Sequence, residues 1–210
     1  MWTRRTAAAG TLPGCFPTTI WTTIREAGRN DPQALERFAR QYQAAVLRFV
    51  RAKGFRGADA DDVCQDVFVR LLSGSVLQRA TQERGRFRGL LRSVAWHVIQ
   101  DRWRQRRDVP SEVIDPPASD PDFDREWVLE LTERALGRLR AAGSGYYEVL
   151  RDHLHGQPQD RNKLWIARGK LIALIKHEVA LTCASPSELA DELSHLAPYL
   201  RPDAVGGNGQ

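Results

Sequence analysis

Apolar residues return every three or four positions in seven stretches of the chain, and nowhere do they alternate for long with polar ones. The first pattern predicts amphipathic helices and the lack of the second predicts no sheet, so the expected class is all-α. In the first stretch, 32–53, the apolar positions are Leu35, Phe38, Ala39, Tyr42, Val46, Phe49 and Val50. Asp31 stands where a cap is needed, Pro32 suits a first turn, and Gly54 ends the pattern. The second, about 59–72, sets Val63, Val67 and Leu71 in one stripe beside Phe68 and Leu72. Its first half gathers Asp59, Asp61, Asp62 and Asp66, where open helix amides favour carboxylates. A third helix follows over 87–107. Four more are expected over 125–140, 146–155, 160–182 and 185–196, separated by Gly143-Ser144-Gly145, by Gly156 with Pro158, and by a capping box at Ser185 and Glu188.

Charge changes the picture most in and around the third helix. Residues 79–107, RATQERGRFRGLLRSVAWHVIQDRWRQRR, hold nine arginines and no lysine against Glu83 and Asp101 alone. At about 100° per residue, Trp103, Arg92, Gln100 and Arg107 fall within about 40° of Trp96. Phe87, Leu90, Leu91, Val94 and Val98 fall on the opposite side. One side is thus a candidate core face. The other interleaves indoles, guanidiniums and an amide, a surface suited to stacking bases and pairing phosphates. The same positions also suit tryptophans packed on a neighbouring helix beneath solvated arginines, and this stretch alone does not choose between the two.

Between the third and fourth helices lies VPSEVIDPPASDPDFD. Four prolines and six acids within residues 108–124 predict an extended linker between two small helical domains, either as a spacer or as an acidic strand lying in a basic nucleic-acid channel. The expected organisation is therefore a flexible extension at 1–17, a domain at 18–107, the linker at 108–124, a second domain at 125–200 and a tail at 201–210. At 210 residues and a formal charge of +5, the chain has apolar content enough for a core, and its balance permits an anionic partner without requiring one. Cys15, Cys64 and Cys183 are odd in number and far apart, which suits a reducing cytosol and suggests neither a disulfide framework nor a zinc site. Nothing in the sequence resembles a signal peptide or a membrane span, so a cytoplasmic location away from membranes is expected.

Chemistry is sparse. A phosphate-cradling glycine loop, GxSxG and HExxH are all missing, and His177-Glu178 lacks a second histidine at helical spacing. His153 and His155 point to different helix faces, and the clustered aspartates have no calcium-loop glycine among them. Neither an enzyme nor a cofactor is expected.

DADDVCQDVFVRLL followed by RGRFRGLLRSVAWHVIQDRWRQRR resembles region 2 of an extracytoplasmic-function sigma factor of the sigma-70 family, a promoter-recognition subunit of bacterial RNA polymerase. FPTTIWTTIREAGRNDPQALERFARQYQAAVLRFVRAKGF and HEVALTCASPSELADELSHL widen the resemblance, towards planctomycete-type members, to about residues 16–200. It implies two small helical domains, region 2-like and region 4-like, in a chain whose partners are core polymerase and promoter DNA. Asp59, Asp61, Asp62, Gln65, Asp66 and Arg70 then match the surface that docks on the beta-prime clamp helices, with the beta subunit also engaged. Arg86, Arg88, Arg92, Trp96, His97, Gln100, Trp103, Arg104, Arg106 and Arg107 match the segment that melts the minus-ten element and captures a flipped base. His97 stands where many relatives carry asparagine, which leaves the preferred base open. The acidic linker matches the segment that threads the polymerase cleft. HGQPQDRNKLWIARGKLIAL departs from the pattern, because it leaves no room for the usual helix-turn-helix of region 4. Two outcomes follow from this shortened region 4: a divergent sigma factor, or an adaptor whose C-terminal helices bind a separate DNA-targeting protein or activator. An anti-sigma factor is a further candidate partner.

Overall fold

A computed structural model describes residues 32–72, 87–107, 115–117, 119–183 and 185–200. Among the described residues the chain is helical throughout, without strands, as the hydrophobic period requires. The helices are α1 (Pro32–Ala52), α2 (Gly57–Leu72), α3 (Phe87–Arg107), α4 (Pro121–Ala141), α5 (Tyr146–Leu154), α6 (Arg161–Ala180) and α7 (Pro186–Leu196), followed by a single 3-10 turn, Ala197–Leu200. The expected extension at 1–17, the stretch 18–31 and the tail at 201–210 lie outside the described residues.

The first three helices form as their stripes dictate. Tyr42, Val46, Phe49 and Val50 of α1, Val63, Cys64, Val67 and Leu71 of α2, and Phe87, Leu91, Ala95 and Ile99 of α3 are all buried in one cluster. Gly54 ends α1 with φ +96°, a conformation that few residues other than glycine adopt. The turn lets Phe55 fold back to full burial against the same cluster.

α4 begins earlier than its apolar pattern suggests. Asp120 caps it, accepting from the backbone amides of Asp122 and Phe123, and Pro121 occupies the first turn. Residues 121–124, expected to be linker, are helix, and Phe123 and Asp124 are buried. Acid and proline mark a linker when they recur, but they also mark a helix start, and composition does not separate the two.

The core continues past the expected domain boundary. Trp127 stacks on Tyr42 at 5.4 Å between ring centroids, and Phe123 meets Phe49 edge-on at 5.0 Å. Val179 of α6, Cys183 and Leu196 of α7 join the same cluster. Ion pairs follow the α1–α4 seam: Arg48 reaches Glu126 (3.2 Å), Glu130 (2.8 Å) and Glu133 (3.1 Å). Lys53 holds Asp120 and Asp122. Burial draws the Lys53 ammonium down, but the hydrogen bonds it donates to Asp122 and Asp120 outweigh this and leave its pKa above the ordinary value. The far half of α4 joins α5 and α6 around a smaller cluster of Leu139, Leu150 and Ala167. One 21-residue helix, about 30 Å long, therefore belongs to both packing units.

Candidate functional site

The outward side of α3 carries an aromatic series rather than isolated rings. Phe55 stacks on Trp103 at 6.2 Å with the planes 13° apart, and Trp103 meets Trp96 edge-on at 6.2 Å. Lys53 lies over Trp96 at 5.8 Å, and Arg106 lies over Phe55 at 4.6 Å. Trp96 and Trp103 are half-buried, each with one part against the core and another open to solvent. The rings are thus braced from beneath, yet remain partly accessible at the surface. A ring fixed in this way loses little entropy when a base stacks on it.

His97 hydrogen-bonds through Nδ1 to the Ser93 carbonyl at 2.7 Å. A carbonyl only accepts, so Nδ1 carries the hydrogen and Nε2 the lone pair of the neutral ring. Arg92 is half-buried on the same side and has no carboxylate partner among the described residues. Burial and the neighbouring Arg88 cation lower its pKa, although a guanidinium stays charged at any physiological pH. Among the described α3 arginines it is the one with no internal carboxylate bond to give up.

Two residues expected on the DNA-facing surface lie inside. Arg88 is 4% exposed, bonded to Asp124 of α4 and to Glu192 of α7, whose second oxygen it meets at 3.3 Å. His195 completes the cluster through a 2.8 Å contact to Asp124. Arg88 sits on the flank of the helical wheel, between core and solvent, and carboxylates from two distant segments draw it inward. Gln100 is also buried, at 7% exposed. Arg86 and the Arg107 side chain lie outside the described residues.

Ion pairs join α3 to α2 in both directions. Arg102 chelates one Asp66 oxygen at 2.6 and 3.1 Å, Arg106 pairs with Asp59, and Arg70 reaches Asp101 at 2.6 Å. Arg104 pairs with Asp101 as well. A groove of about 330 Å³ runs between the helices, lined by Asp66, Arg70, Val98, Asp101, Arg102 and Gln105. The two expected surfaces thus share an edge at which each partly neutralises the other. Asp62 and Gln65 face solvent, whereas Asp61 leans 3.7 Å from Arg51. Val69, 66% exposed on the same outward side of α2, went unnoticed in the sequence because a lone apolar residue beside a stripe carries no signal of its own. Cys64 lies behind this surface, and burial, followed by the nearby Asp61, pushes its pKa up to about 12.

Residues 38–109 match the family model for Sigma-70 region 2, from within α1 to just past α3. That segment is thus similar to sigma-70 region 2, the part of sigma factors that binds core RNA polymerase and melts the minus-ten promoter element. No curated protein and no solved structure matches the chain. Among the described residues no helix is long and apolar enough to cross a membrane.

Proposed function

We propose that this protein is a sigma factor that engages core polymerase through the outward side of α2 and opens promoter DNA with α3. The observation that carries the reading is the braced aromatic row Phe55–Trp103–Trp96, with Arg92 and His97 nearby, inside the region 2 match. Asp62, Gln65 and Val69 are the α2 residues offered to the clamp helices; Asp59, Asp66 and Arg70 hold α3 in register as well. The unpaired base stacks on the tryptophans, His97 meets its edge, and Arg92 takes the backbone. Initiation with purified core polymerase on a promoter library tests this. Transcripts sharing an upstream element are expected, and Trp96→Ala should reduce permanganate-detected melting about tenfold while polymerase binding is kept. Unchanged melting in that variant, or failure to bind core polymerase, would overturn the proposal.

A second reading concerns the C-terminal helices. After α5, residues 155–160 lead directly into the unbroken α6, Arg161–Ala180, where a separate recognition helix would be expected. α5 and α6 then hold a protein partner in place of reading the minus-thirty-five element. Initiation that depends strongly on the minus-thirty-five sequence, with this protein and core polymerase alone, would count against it.

A further inference from the structure

α6 turns an apolar and basic face to solvent that nothing among the described residues covers. Arg161, Trp165, Arg168, Ile172 and Lys176 recur at spacings of three and four, and all are exposed. Trp165 is 74% exposed and Ile172 53%, although two such residues side by side are an unusual surface for a lone domain. Leu154, 77% exposed, ends α5 beside His153, which accepts a 2.9 Å hydrogen bond from Arg168 and so adjoins the same face.

Gly169 lies between the two exposed apolar residues of this face. It sits in the helix interior, where glycine is unfavourable relative to alanine, and a Cβ built there would meet nothing within 4 Å. Its backbone conformation and its packing within this chain are equally open to alanine. A missing side chain between Trp165 and Ile172 leaves a shallow saddle in which another backbone can approach closely.

Charge selects the occupant. α6 carries Arg161, Lys163, Arg168, Lys170 and Lys176, and its one acid, Glu178, is buried and answered by Arg138 at 2.7 Å and Arg134 at 3.5 Å. Two-fold pairing with a second copy sets these cations against one another. A nucleic-acid backbone satisfies the cations but leaves the Ile172 side chain and the saddle without a purpose. We infer that this face binds an acidic amphipathic helix of a protein partner, crossing α6 at Gly169, with apolar side chains against Trp165 and Ile172 and carboxylates opposite Arg161, Arg168 and Lys176.

The inference rests on the second reading above and gives it a place and a chemistry. Minus-thirty-five dependence tests that reading in transcription, whereas direct binding tests the face, so either can fail by itself. The full chain is titrated against a fluorescent synthetic helix with leucines on one side and glutamates on the other, its lysine counterpart, and a 20-base-pair duplex. Saturable binding of the glutamate peptide, about tenfold or more tighter than the lysine peptide, is expected. Trp165→Ser and Gly169→Leu should each weaken it about tenfold. Both sites face open space and leucine favours a helix, so the helical circular dichroism should be kept and the melting temperature should not fall. Failure of the glutamate peptide to bind, equal binding of both peptides, full affinity in Gly169→Leu, or displacement of the peptide by sub-stoichiometric duplex would overturn the assignment.

Discussion

Replacing Arg88 with methionine separates a structural role from a DNA-contacting one. The guanidinium is 4% exposed and bridges two carboxylates, Asp124 and Glu192, that are themselves 0% and 1% exposed. Removing the shared cation takes the guanidinium from two buried carboxylates, of which Asp124 keeps its contact to His195, and breaking such a buried pair costs about 3–5 kcal/mol. A loss of that size lowers the melting temperature of a domain this large by about 6–20 °C. Urea unfolding followed by circular dichroism at pH 7 should therefore show an earlier midpoint with an unchanged slope. Adding Glu192→Gln to Arg88→Met should restore part of the loss, with a coupling of about 0.5–3 kcal/mol, because one buried negative charge has gone. Arg88→Lys should fall short of wild type, since one ammonium cannot serve two carboxylates on separate helices with fork geometry. A loss below about 1 kcal/mol for Arg88→Met, with weaker salt-dependent DNA binding instead, would refute the buried role and return Arg88 to the DNA surface.

Three further outcomes follow from the geometry. Asp66→Asn removes the internal partner of Arg102, so non-specific duplex binding should strengthen and its log–log salt slope should steepen by up to about one unit; an unchanged slope would show that Arg102 does not reach DNA. With its pKa near 12, Cys64 should have about one part in ten thousand as thiolate at pH 8, so the native protein should react at this thiol only after unfolding. Rapid native labelling of Cys64, located by mass spectrometry, would contradict its burial. The Lys53 pKa is raised by folding, so its contribution is fully present below the ordinary lysine value of 10.5 and fades as pH rises through the folded one. Lys53→Met should therefore narrow its stability gap to wild type between about pH 10 and 12, and a gap constant over that range would argue against the Asp120–Asp122 pairing.

Much of the α1–α3 unit was legible because periodicity is local. A residue's neighbours three and four places away set the helix face it shares, which is why Tyr42, Phe49, Val67 and Leu91 could be assigned to the core from spacing alone. Trp96, Trp103 and Arg92 could be grouped for the same reason. The wheel also put Gln100 among them, and the structure buries it.

What only the tertiary structure decided are pairings between segments far apart in the chain. Arg88 meets Glu192 across a separation of 104 residues, and no local rule distinguishes that arginine from one reaching for phosphate. Residues 121–124 had the composition of a linker until Asp120 was seen to cap α4 and Phe123 to close on Phe49. The joint between the acids of α2 and the arginines of α3 belongs to the same class. Charge along a sequence states how much is present, and only packing states which opposite charge stands beside it. Helical period thus determined the elements and most of their faces, while side-chain partners from other elements determined which polar residues on those faces remain available to polymerase, DNA or another protein.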